Sequence, residues 1–208
     1  MMSKTLPLLV MTSALALAAC SGKSKDDVAS PSTNPALAVP NGPPAVANPT
    51  VGGVPMMATR TIVDNASAAP NLSTLVAAVK AADLVGTLSG PGPFTVFAPT
   101  NDAFGRLAPG MVDTLLKPEN KASLTKVLTY HVVPGVITAD DLRQRIAAGG
   151  GTATLTTVEG DPITATLVGA VITLTDVNGN KSYVETADVR QSNGVVHVVN
   201  GVIVPKLS

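Results

Sequence analysis

The sequence predicts an α+β domain in which helices come first and a largely antiparallel sheet system follows. Two patterns predict it. From about Thr61 to Ala148, apolar residues recur at helical spacing between capping and stop signals. After Gly149-Gly150-Gly151 the chain becomes a series of short runs rich in Val, Ile and Thr, several of them parted by turn residues.

The first expected helix carries Leu75, Val76, Val79 and Leu84, with Asn71 or Ser73 as its N-cap, and Gly86 and Gly90-Pro91-Gly92 stop it. Phe94 to Phe97 reads as a strand closed by Ala98-Pro99. Thr100 or Asn101 then caps a helix bearing Ala103, Phe104 and Leu107. Pro118 suits the first turn of another helix, with Leu124, Val127 and Leu128 on one face. Thr138 caps a further helix, Ala139 to Ala148, and Asp140 and Asp141 fall in its first turn, where the helix dipole favours carboxylates. The β runs are ATLTTV, ITATLV, VITLTDV, SYVETADV, GVVHVV and VIVP, with turns at Glu159-Gly160-Asp161-Pro162 and Asn178-Gly179-Asn180.

The 208 residues have zero formal net charge and no basic block. Nucleic acid is therefore not an expected partner, since binding phosphates needs clustered Lys and Arg. With three Phe, two Tyr and no Trp, an aromatic-lined glycan groove is not expected either. The single cysteine, Cys20, excludes an intrachain disulfide.

That cysteine closes a stretch with the texture of a targeting signal. Lys4 precedes a mostly apolar, uncharged run from Thr5 to Ala19, too short for a comfortable membrane span. The ending Leu17-Ala18-Ala19-Cys20 resembles the lipobox of bacterial lipoproteins. The resemblance implies a signal peptide over 1–19, lipidation of Cys20, and tethering to a membrane by acyl chains. Ser21, where an Asp would favour inner-membrane retention, implies the outer membrane in a two-membrane cell. Residues 20–60 hold seven prolines beyond the cysteine, with Gly, Ser, Asn and Ala and no sustained apolar period, and read as a disordered or polyproline tether. The folded domain is expected over 61–208.

Three stretches of that domain carry a family likeness. Phe94 to Phe104, FTVFAPTNDAF, containing Thr100, Asn101 and Asp102, resembles the first signature of fasciclin-type (FAS1) domains. Tyr130-His131 with Val132-Val133-Pro134-Gly135 resembles their Tyr-His motif. Asn193-Gly194-Val195-Val196-His197, running on to Pro205, resembles their second signature. The resemblance implies a wedge of strands in two sheets with several helices packed on them. It also implies a role in adhesion through a protein, matrix or polysaccharide partner, without cofactor or catalysis. No Arg-Gly-Asp is present, so integrin binding does not carry over. The family likeness further implies a polar link between Asp102 and His131, direct or through one water.

The residues themselves offer little for catalysis. Neither H-x-x-x-H nor H-x-H occurs, and zinc needs three or four ligands. No G-x-S-x-G elbow exists, and paired carboxylates such as Asp102 and Asp113 lack a sugar platform. His197 lies in a run of valines, on the strand face it shares with Val195 and Val199, and is expected to be a hydrogen-bonded core residue. Asn193-Gly194 suits a tight turn through tolerance of positive φ. The expected function is a non-catalytic, surface-tethered, monomeric interaction module. A carrier or sensor of a small apolar ligand, which would need a cavity of several hundred Å³, and a hydrolase are the alternatives. Loops at Gly90–Pro93, Pro109–Met111 and Gly149–Gly151 are the candidate binding surfaces.

Overall fold

The computed structural model describes residues 48–107 and 110–206. The signal segment, Cys20 and the first part of the tether lie outside the described residues.

The fold begins earlier than expected. Strands β1 (Thr50–Val51) and β2 (Val54–Pro55) form a hairpin across Gly52 and Gly53, both at positive φ, as a two-residue type I′ loop requires. Val51 and Met56 are buried in the core. The Asn48 side chain donates to the carbonyl of Arg190 and accepts its N–H, at 2.6 and 3.0 Å. Residues 48–60, assigned above to the tether, therefore belong to the domain. Their apolar pattern is too short to show a period, and the two glycines read as linker composition although they make the turn.

Helix α1 (Ile62–Ala68), unforeseen from the sequence, is capped by Thr61, whose hydroxyl accepts from Asp64 N. The expected single helix up to Leu84 is two: α2 (Ser73–Ala81) and α3 (Val85–Ser89). Asp83 breaks it by adopting φ 61°, a left-handed conformation that Asp tolerates better than most residues. Leu84 N then reaches back to Val79 O at 3.0 Å. Neither Asn71 nor Ser73 caps α2. Its Thr74 N–H is instead satisfied by Asn101 Oδ1 at 3.0 Å, a cap from far along the chain.

After β3 (Phe94–Pro99), Thr100 caps α4 (Asn101–Gly105) as expected. A short α5 (Met111–Leu115) follows. Pro118 opens a 3-10 turn rather than the helix itself, and α6 (Lys121–Tyr130) starts three residues later. Beyond β4 (Val132–Pro134), α7 (Ala139–Ala148) starts with a full capping box between Thr138 and Asp141. Strands β5 (Thr152–Thr156), β6 (Pro162–Val168), β7 (Val171–Thr175), β8 (Lys181–Gln191) and β9 (Gly194–Val199) complete it.

Beside the β1–β2 hairpin, strands β3 to β9 make one continuous seven-stranded sheet in the order β4-β3-β9-β8-β7-β6-β5. Every neighbouring pair is antiparallel except β3 with β9. Strand β8 joins the halves: Lys181–Tyr183 pairs with β7, and Val184–Gln191 pairs with β9 through register shifts around Thr186 and Asp188. Such irregularities bend a strand, so a pair of sheets forms without a break.

The parallel pair β3–β9 lies between two apolar clusters and is buried on both faces. Val96 and Ala98 of β3, with Val196 and Val198 of β9, face the cluster built with α1, α2, α4 and α6. Phe97 and Val199 face the cluster built with α7 and β5 to β7. This period-2 division explains why GVVHVV is apolar at nearly every position.

The final expected strand, VIVP, forms no ladder. Residues 202–206 lie against the core with their backbone donors turned to side chains: Ile203 N to His131 Nε2 at 3.2 Å, Val204 N to Asp176 Oδ2 at 3.0 Å, and Lys206 N to Asp161 Oδ2 at 3.2 Å. Pro205 occupies the position where no donor exists.

Candidate functional site

The signature residues converge on the core rather than on a cleft. His197 is fully buried on β9, opposite Phe97 of β3, and the two rings stack with centroids 5.6 Å apart. Its Nε2 faces the carbonyl of Ile137 at 2.8 Å, and its Nδ1 faces the N–H of Asp188 at 3.3 Å. One neighbour is only an acceptor and the other only a donor. The ring is therefore neutral, carrying its proton on Nε2.

His131 closes α6, 2% exposed, with the opposite assignment. Its Nδ1 donates to Val127 O at 2.7 Å, and its Nε2 accepts from Ile203 N. Burial favours the neutral form of both rings. It lowers His131 to about 4, against weaker opposing effects of the Val127 carbonyl and Asp176. It lowers His197 as well, opposed by the Ile137 carbonyl and by Asp188. All four ring nitrogens are engaged with backbone groups, so either imidazole could take a proton from a nucleophile or bind a metal only by giving up one of these bonds.

The expected Asp102–His131 link is not there. Asp102 is exposed in the first turn of α4, and the His131 ring has its two partners elsewhere. The pinning role falls to the neighbouring Asn101. Its Nδ2 donates to Pro70 O at 3.0 Å and to Ser73 Oγ at 2.9 Å, while its Oδ1 caps Thr74. A charge at Asp102 is favoured by the helix start and needs no buried partner.

Tyr130 is fully buried, with its hydroxyl donating to Pro162 O at 2.8 Å and accepting from Val177 N at 3.3 Å. Burial pushes its pKa up to about 12, and the nearby carboxylates of Asp176, Asp161 and Glu159 act in the same direction.

Asn193 does more than turn the chain. Its Oδ1 accepts from Ile62 N at 3.1 Å, and its Nδ2 donates to Leu88 O at 2.8 Å and Gly90 O at 3.2 Å. It ties the start of α1 and the end of α3 to the β8–β9 turn. Gly194 is required by space: an added Cβ would collide with the carbonyl oxygen of Phe94 on the paired strand.

Two carboxylates of this network were not singled out in the sequence. Asp188, at φ 57°, accepts from Ala139 N at 2.7 Å and so joins the β8 irregularity to the start of α7. Asp176, 5% exposed, receives N–H donors from Asn178, the backbone and side chain of Asn180, and Val204. Its D-x-N-G-N setting could have signalled an Asx turn, because Asp and Asn side chains bond the backbone two residues on. Surrounded by donors, this carboxylate is closed to cations. Among the described residues no group of three or more His, Cys, Asp or Glu side chains is placed to hold a metal.

The space beside the histidines is small. Between α1, α2 and the sheet an apolar cavity leaves about 40 Å³, and a second one beside His131, under α5 and α6, leaves about 10 Å³. The cavity of several hundred Å³ that a carrier would need is not found here. A larger open groove, about 560 Å³, runs over the surface between Pro91–Pro93, Val136, Thr138 and Arg190–Val195.

A fold of this topology, pinned at these positions, is that of the fasciclin class. The Fasciclin domain family model matches residues 70–205, and the chain belongs to that family. Protein sll1483 of Synechocystis is 49% identical over 151 residues, spanning 71% of this chain and 74% of that protein. Immunogenic protein MPB70 of Mycobacterium bovis is 34% identical over 175 residues, 77% of this chain and 78% of its own. Among solved structures, a FAS1 domain pair from the insect cell adhesion molecule fasciclin I superposes with a TM-score of 0.62 at 21% identity. That match covers 75% of this chain and 52% of the other, and it bears on the fold alone.

Proposed function

We propose that the protein is a non-catalytic, secreted interaction module that mediates adhesion through a protein or polysaccharide partner. One observation carries this reading. The polar signature side chains, Asp102 excepted, bond within the domain, mostly to backbone groups, so the signature chemistry of the sequence serves the frame and leaves function to the surface. A hydrolase of the serine–histidine kind needs an imidazole with a nitrogen available to a nucleophile, and both rings here are fully engaged. The fasciclin family relationship supports adhesion as the role.

The lipobox-like Leu17-Ala18-Ala19-Cys20 supports a lipid anchor on the outer membrane, with residues 21–47 as the stalk. A pull-down with the chain from Cys20 onward, against intact cells and extracellular matrix, tests the adhesive role. Retention on either supports it, and retention on neither, with a small apolar ligand copurifying, favours a carrier. Metabolic labelling with a clickable fatty acid tests the anchor, which is excluded if label is absent or survives Cys20→Ala.

A further inference from the structure

Residues 202–206 are held unlike any other part of the sheet system. Among the described residues no backbone–backbone hydrogen bond fastens them. The N–H groups of Ile203, Val204 and Lys206 go to His131, Asp176 and Asp161, and the carbonyl of Val204 accepts from Asn178 Nδ2 at 2.8 Å. Each of the three acceptors is a side chain that loses acceptor capacity when it binds a proton. The segment nevertheless closes the core, with Ile203 fully buried and Val202 and Pro205 also buried.

We propose that residues 202–206 are an acid-released strap: protonation of His131 at Nε2 turns the acceptor of Ile203 into an opposing donor, and the strap lifts while the ladder of the sheet stays closed. The proton moves from solvent to the imidazole, and the freed Ile203 N–H passes to water. Lifting uncovers the part of the core that Ile203 closes, giving an apolar surface present only in acid.

The charged surroundings favour this site for the trigger. From the β5–β6 and β7–β8 turns, Asp161 and Asp176 bond the strap, Glu159 accepts from Asp161 N, Asp176 also acts on His131, and Lys206 is the strap's own charge. From α1, α2, α5, α6 and strands β3 and β9, the walls of the two cavities around His131 contribute no other titratable side chain. Burial outweighs the attraction of these carboxylates, so a proton gained while the strap is closed is poorly stabilised, and opening to water relieves it.

Amide hydrogen exchange followed by NMR on the full chain, expressed as protection factors, tests this. With His131 near 4 when closed and near its ordinary 6.5 when open, linkage gives about a twentyfold loss of protection at Ile203, Val204 and Lys206 between pH 7 and 5. Val196 and Val198 on β9, which exchange through global unfolding, should stay more strongly protected than the strap at every pH, and His131→Gln should abolish the loss at the strap. An unchanged strap, strap protection no lower than that of β9 across this range, or a loss that persists in His131→Gln overturns the proposal. Should that variant not fold, the unaltered chain still decides. The strap's loss must level off at the pH where the His131 ring resonance titrates, and continued loss below that pH overturns it.

Discussion

The Nε2 of His131 accepts the backbone N–H of Ile203 at 3.2 Å, which fixes a buried neutral imidazole beneath the C-terminal segment. The bond has a pH signature. His131 has a folded pKa of about 4 against an ordinary 6.5, so between these values the unfolded chain binds the extra proton. Stability is therefore complete above about pH 6.5 and falls as pH drops towards 4, by on the order of 3 kcal/mol from this residue. His197 is shifted in the same direction and adds to the loss. Urea midpoints at pH 7.5, 6, 5 and 4 should fall in that order, and His131→Gln should flatten the series.

His197→Phe keeps the ring that stacks on Phe97 but leaves the Ile137 carbonyl and the Asp188 N–H buried without partners. Each such loss costs about 1–3 kcal/mol, so a destabilisation of about 3 kcal/mol is expected in chemical denaturation.

Asn193→Ala removes three bonds that join α1 and α3 to the β8–β9 turn, and should cost about 2 to 3 kcal/mol. Asp102→Asn, despite its place in the first signature, should change stability by no more than about 0.5 kcal/mol, because the carboxylate is exposed. The same denaturation assay ranks the two.

Two glycines separate a steric requirement from mere tolerance. Gly194→Ala drives a methyl into the Phe94 carbonyl and should cost about 2 kcal/mol or more by forcing β9 from β3. Gly105→Ala, in α4 with open space around it, should be neutral or stabilising by up to about 1 kcal/mol. Thermal melts of both variants give the comparison.

The α+β class, the caps at Thr100 and Thr138 and the β runs from β5 to β9 were legible because local chemistry decides them. What the sequence hid depended on partners far along the chain. Asn101 caps a helix 27 residues earlier, which no local pattern signals. The strand reading of VIVP failed because its donors find His131, Asp176 and Asp161 instead of a neighbouring strand. The break at Asp83 and the β8 irregularity at Asp188 rest on left-handed backbone at non-glycine residues, which composition does not mark. At the candidate site, His197 reads correctly as a core residue from its valine setting. The supposed Asp102–His131 link came from family likeness, and geometry assigns the pinning to Asn101.

The central claim is that at neutral pH both histidines are uncharged and committed to the backbone at both ring nitrogens. Two-bond ¹H–¹⁵N correlation spectra of the imidazoles at pH 7 test it most directly, because they report the tautomer of each ring. The expected result is two neutral rings of opposite kind, Nδ1–H for His131 and Nε2–H for His197. A cationic ring, a reversed tautomer, or rapid averaging between tautomers at either residue would contradict it.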